Sequence, residues 1–145
     1  MKLKIMVDSS SGITQEEAIK LGIDVFPLRI IFDDKEYLDG IDIMQDEFYE
    51  KLTKEEIFPK TSLPNLYEIE KKVKAYVQDG YSVIILPLSK EISGTYSALV
   101  SMMEDYENVR VIDTLTTICG LRFLVNEAIQ LKVDTLDELE IKLRD

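Results

Sequence analysis

The sequence predicts an α/β domain with a mainly parallel central sheet flanked by helices. Three observations carry that expectation. Short apolar runs alternate along the chain with amphipathic stretches of helical period. One run, Val83-Ile84-Ile85-Leu86, is apolar at every position, as a strand buried on both faces requires. The runs at 3–7, 81–86 and 109–112 each lead into a polar loop and then a helical pattern, the order of a right-handed parallel crossover.

The elements follow in order. Residues 3–7 form a first strand that ends at the polar turn Asp8-Ser9-Ser10-Ser11-Gly12. Thr14, with Glu17 three positions on, is a capping box opening a short helix that Gly22 stops. Residues 23–32 are extended, interrupted by Pro27, which places this part near a sheet edge. Asp33-Asp34 turns the chain into a return strand at 35–38. A short helix occupies 46–52, and 58–64 is a loop. Pro64 suits the first position of the next helix, whose apolar face carries Leu66, Ile69, Val73 and Tyr76, and Gly80 suits its stop. After the buried strand come a hydroxyl-bearing loop at 87–94 and a helix with Tyr96, Leu99, Met103 and Tyr106 on one face. The strand at 109–112 gives way to a polar loop at 113–117 and a helix reaching about residue 131. Thr135 caps a last helix with Leu136, Leu139 and Leu143 on one side. Linkers, repeats and low-complexity stretches are absent, so residues 1–145 read as a single domain.

Composition narrows the function. The net charge of −11 opposes nucleic acid and anionic membrane surfaces. No apolar run approaches the roughly 20 residues of a membrane span. The opening residues lack an apolar stretch of signal-peptide length, which points to a cytoplasmic protein. The absence of histidine removes Ser-His-Asp, Cys-His and phosphohistidine chemistry and the common zinc sites. The single cysteine, Cys119, lies in the apolar stretch Ile118-Cys119-Gly120-Leu121 and reads as a small buried core residue. Asp33, Asp34, Asp39 and Asp42 lack the spacing of a cation loop and read as turn and surface residues. Neither a dinucleotide-binding glycine motif nor a Walker A motif is present, and neither cofactor nor metal is expected.

The loops that remain share one edge. If the strands are parallel, the turns carrying Asp8, Ser9 and Ser10, then Ser89, Ser93, Gly94 and Thr95, then Asp113 and Thr114, all lie at the carboxyl end of the sheet. Thr61 and Ser62 join them by preceding a crossover helix. Open α/β sheets bind ligands at that end. Hydroxyls and helix N-termini donate hydrogen bonds to anions, and Gly94 lets a ligand approach the backbone. A carboxylate or phosphate fits this chemistry. Each serine or threonine could instead only cap its own helix.

Five segments in order resemble the DegV family of fatty-acid-binding proteins. They are Asp8-Ser9-Ser10-Ser11; Tyr37-Leu38-Asp39-Gly40-Ile41-Asp42-Ile43 with Phe48-Tyr49; Pro59-Lys60-Thr61-Ser62-Leu63-Pro64; Ser93-Gly94-Thr95-Tyr96; and Val111-Ile112-Asp113-Thr114 with Gly120. The resemblance implies the first of two lobes, the second being absent from this chain along with its basic and histidine contacts. It implies a bacterial lipid-binding protein, not an enzyme, that holds a long-chain fatty acid for a fatty acid kinase. It places the carboxylate at Thr61, Ser62, Ser93, Gly94 and Thr95, with Asp8, Ser9 and Ser10 secondary, and the alkyl chain in an apolar tunnel. Gly12 and Leu63 depart from the family's usual acidic residue and glutamine. The face meant for the missing lobe favours self-association. Two other readings stand beside this one: a phosphotransfer subunit of related fold, and an interaction domain that binds no ligand.

Overall fold

The computed structural model describes residues 1–54 and 58–144. Seven strands and six helices are found there: β1 (Leu3–Asp8), α1 (Gln15–Leu21), β2 (Asp24–Phe26), β3 (Arg29–Phe32), β4 (Lys35–Leu38), α2 (Gln45–Lys54), β5 (Lys60–Ser62), α3 (Leu66–Gln78), β6 (Ser82–Leu86), α4 (Thr95–Met103), β7 (Val109–Val111), α5 (Ile118–Gln130) and α6 (Leu136–Arg144). A single 3₁₀ turn covers Ser9–Ser11.

The central sheet has the order β2-β1-β6-β7, and every neighbouring pair is parallel. The chain runs outward from β1 to β2, then returns to β6 on the other side of β1. The order therefore reverses between β1 and β6, and the loops after these two strands flank that point. Val83, Ile84, Ile85 and Leu86 are at most 1% exposed, so β6 is the sheet's spine. Burying each such side chain contributes about 1.5–3 kcal/mol. On one face Ala18 of α1, Leu121, Val125 and Ala128 of α5, and Leu139 of α6 pack on Ile5, Val7, Ile84 and Leu86. On the other, Ile69 and Val73 of α3 and Leu99 and Met103 of α4 pack on Met6, Val83 and Ile85.

Local signals set the helix ends. The Thr14 hydroxyl accepts from Glu17 N at 3.1 Å while the Glu17 carboxylate accepts from Thr14 N at 2.9 Å, completing the capping box. Thr135 accepts from Glu138 N at 3.1 Å at the start of α6. Pro64 does not open α3. Asn65 is the cap, its side chain accepting from Glu68 N, because a side-chain acceptor satisfies a first-turn N–H that proline cannot.

The extended segment at 23–32 is two strands in two sheets. Pro27 and Leu28 break it, β2 joining the central sheet and β3 forming the middle of a second, antiparallel sheet, β4-β3-β5. Residues 58–64 are correspondingly not all loop. Lys60–Ser62 pairs with β3, and its polar, proline-flanked sequence suits an edge strand. Cys119 is exposed rather than buried. It sits two positions before Leu121, which puts it on the opposite side of α5 from the core face.

Candidate ligand site at the carboxyl edge

The loops after β1, β6 and β7 are laced together. Asp8 is fully buried, its Oδ1 accepting from Ser10 N at 2.8 Å and its Oδ2 from Leu88 N at 2.5 Å, across the point where strand order reverses. Burial pushes this carboxyl above its ordinary value, against the pull of those hydrogen bonds. Ser9 Oγ accepts from Leu28 N at 3.0 Å and so ties β1 to the chain entering the second sheet. Ser10 Oγ accepts from Thr117 Oγ1 at 3.0 Å. Thr114 Oγ1 donates to Pro87 O at 2.8 Å, and Ser89 N donates to Thr116 O at 2.9 Å. Asp113 orders its turn by accepting from Lys90 N and Leu115 N. Its Oδ2 lies 3.4 Å from Lys90 Nζ, close enough for an ion pair but not aligned as a hydrogen bond. Asp42 likewise holds a turn, accepting from Leu38 N.

The loop before α4 is built differently. Thr95 is fully buried and its hydroxyl shares a 2.9 Å hydrogen bond with Ser93 Oγ, which also accepts from Thr95 N. Ser93 is half-buried and Gly94 exposed, and Gly94 offers no side chain to cap α4. Leu63 Cδ2 stands 3.8 Å from where a Gly94 Cβ would lie. That proximity sets the end of the Thr61–Ser62 segment beside the Ser93–Thr95 turn. Arg29 Nε donates to Leu63 O at 2.7 Å and its Nη1 pairs with Glu36, which pins the end of β5.

Register decides what each hydroxyl faces. Thr61 stands opposite Ile30, and Ser62 opposite Arg29. Directly opposed residues share a sheet face and successive ones alternate, so Thr61 lies with Ile30 and Ser62 with Arg29 on the other face. The two faces border two open cavities. One, of about 380 Å³, is lined by Ile30 together with Ser9, Ser10, Phe48, Tyr49 and Ile118. The other, of about 470 Å³, is lined by Arg29 together with Phe26, Leu38, Ile41, Pro64 and Ile69. Sequence reasoning placed Thr61 and Ser62 together. It missed Arg29, Phe48, Tyr49 and Ile118 as lining residues, because strand register and loop conformation carry no local sequence signal. Ile118 and Leu115 adopt positive φ, +52° and +54°, and are 61% and 70% exposed. A β-branched residue there is strained, and both aliphatic side chains are held out at the loop edge.

An open-edged parallel sheet with hydroxyl loops and two open cavities beside its carboxyl edge has the architecture in which α/β folds accommodate small ligands. The family model described as "Uncharacterised protein, DegV family" matches residues 2–141. A DegV domain-containing protein of Clostridium perfringens is 34% identical over 143 residues, covering 96% of this chain and 51% of that protein. DegV of Bacillus subtilis, described as a fatty acid binding protein, superposes with a TM-score of 0.88 at 25% identity, over 99% of this chain and 53% of that one. A stearic acid-binding protein of Eubacterium ventriosum gives 0.84 at 27% identity, over 99% and 52%. This chain belongs to the DegV family. It spans about half the length of the relatives it matches. Among the described residues no helix is long and apolar enough to cross a membrane.

Proposed function

We propose that this chain is the carboxylate-holding lobe of a long-chain fatty-acid-binding protein, which presents its ligand to a fatty acid kinase and does not itself catalyse. The observation that carries this reading is the closeness of Leu63 to Gly94, which sets the two hydroxyl segments side by side, while Thr61 shares a sheet face with cavity-lining Ile30. The fatty acids bound by the Bacillus subtilis and Eubacterium ventriosum proteins support it. In this reading the carboxylate accepts from the hydroxyls of Thr61 and Ser93 and from main-chain N–H at Gly94. Thr95 acts through Ser93, because its buried hydroxyl fixes the Ser93 rotamer. Ser62, opposite Arg29, lies on the other face of the strand from Thr61. The alkyl chain occupies the 380 Å³ cavity, with Ser9 and Ser10 in its wall and Asp8 bracing the loop behind them.

The double variant Thr61→Val, Ser93→Ala tests the site. Hydrogen bonds to a charged group contribute about 1.5–3 kcal/mol each, so losing both should lower palmitate affinity about a hundredfold or more by calorimetry. The urea midpoint should change little. Unchanged affinity would remove these hydroxyls from the site. Presentation predicts that a fatty acid kinase forms acyl phosphate only when chain, fatty acid and ATP are all present.

A further inference from the structure

We infer that Gln15 is the partition that sets how far an alkyl chain can run through this protein, and so which chain lengths it takes. The inference rests on the fatty-acid reading above. The 380 Å³ and 470 Å³ cavities lie to either side of the β2 edge, and two residues, Gln15 and Val25, line both. Val25 is committed to the sheet, paired with Val7. Gln15 is not. It is the first residue of α1, and its Nε2 donates to Val25 O at 3.0 Å. β2 is an edge strand, so this amide stands where a neighbouring strand's N–H would otherwise be. The capping box at Thr14 and Glu17 holds the root of the side chain in place.

An alkyl chain entering from the Ser9–Ile118 side therefore meets a polar amide at the end of the smaller cavity. Beyond it lies the larger cavity, where Phe26, Leu38, Ile41 and Ile69 line the space alongside charged side chains such as Asp24, Arg29 and Lys72. Among the described residues nothing else lines both spaces. Withdrawing the Gln15 side chain joins them, and each further methylene buried then raises affinity about fourfold.

The test is displacement of cis-parinaric acid from the 145-residue chain by saturated acids from laurate to behenate. For the native sequence, affinity should rise with each methylene and then level off at the length that reaches Gln15. Gln15→Ala should move that break to longer acids, by several added methylenes. Gln15→Asn keeps an amide but withdraws it, and should move the break less far in the same direction; it decides the matter if the alanine variant does not fold. Adding Ile41→Trp to Gln15→Ala should fill the larger cavity and restore the native break, since Ile41 lines only that space and is half exposed. An identical break in the native and Gln15 variants overturns the partition and leaves the fatty-acid reading standing. A moved break that Ile41→Trp does not restore overturns the larger cavity as its destination. Failure of every acid to displace the probe overturns both readings.

Discussion

Both carboxylate oxygens of Asp8 accept backbone N–H groups, one from its own loop and one from Leu88 on the neighbouring strand's loop. Removing the carboxylate strands buried donors, each costing about 1–3 kcal/mol. Asp8→Ala should therefore lower unfolding free energy by about 2–6 kcal/mol in urea titrations. The pH dependence has a definite sign. Burial raises the Asp8 carboxyl above 3.8, so within that window the native state holds a proton the unfolded chain has released. The Asp8 contribution to stability falls as pH rises through the window. Glu17 behaves oppositely. Its hydrogen bonds with Arg122 and the Thr14 N–H hold it below 4.5, so its contribution is present above that value and lost as pH falls through the folded one. Thermal melts should show the stability gap between native protein and Asp8→Asn widening on acidification. The gap for Glu17→Gln should narrow.

The start of α5 joins strain to exposure. Ile118 pays a left-handed backbone penalty of about 1–2 kcal/mol while lining the smaller cavity. Ile118→Gly should raise unfolding free energy by about 1 kcal/mol and weaken palmitate binding. A variant stabilised with unchanged affinity would separate the strain from the ligand. The next residue, Cys119, should react with a disulfide reagent in native protein at close to its rate in urea; strong protection would contradict its placement. The legibility of the sequence differs between these elements. The central sheet was readable because Val83–Leu86 of β6 is apolar at every position and its crossover helices carry clean apolar faces. The capping box at Thr14 and the shared edge of the three loops followed from local chemistry. The second sheet was not readable, because β5 is three polar residues whose strand identity exists only through pairing with β3. That pairing also separates Thr61 from Ser62, which adjacent hydroxyls in sequence had suggested act together. Cys119 was misplaced for a related reason: apolar neighbours indicate a helix, but the phase set by Leu121, Val125 and Ala128 decides which side is buried.

At the scale of the whole molecule, the proposed site is open on one side. Both cavities are open, and Ile92, Leu115 and Ile118 stand 61–70% exposed in loops of the carboxyl edge. The chain covers about half the length of its structural neighbours. Lys90, the cation of the Ser93 loop, lies against Asp113, so its charge is already countered before a carboxylate arrives. The net charge of −11 adds a repulsive field for any anion. Hydroxyls and the α4 N-terminus can orient a head group, but on an open surface they compete with water. Alkyl burial at about 0.8 kcal/mol per methylene must then supply the affinity, and an alkyl chain with one wall exposed gains only part of it. The expected outcome is that the 145-residue chain binds palmitate or oleate weakly, with a dissociation constant in the micromolar range or above by calorimetry. Exposed aliphatic side chains favour association between copies while like net charge resists it, so dimers in light scattering should grow as salt screens the charge. Submicromolar, one-to-one binding by a strict monomer at every salt concentration would show that this surface needs no opposing wall.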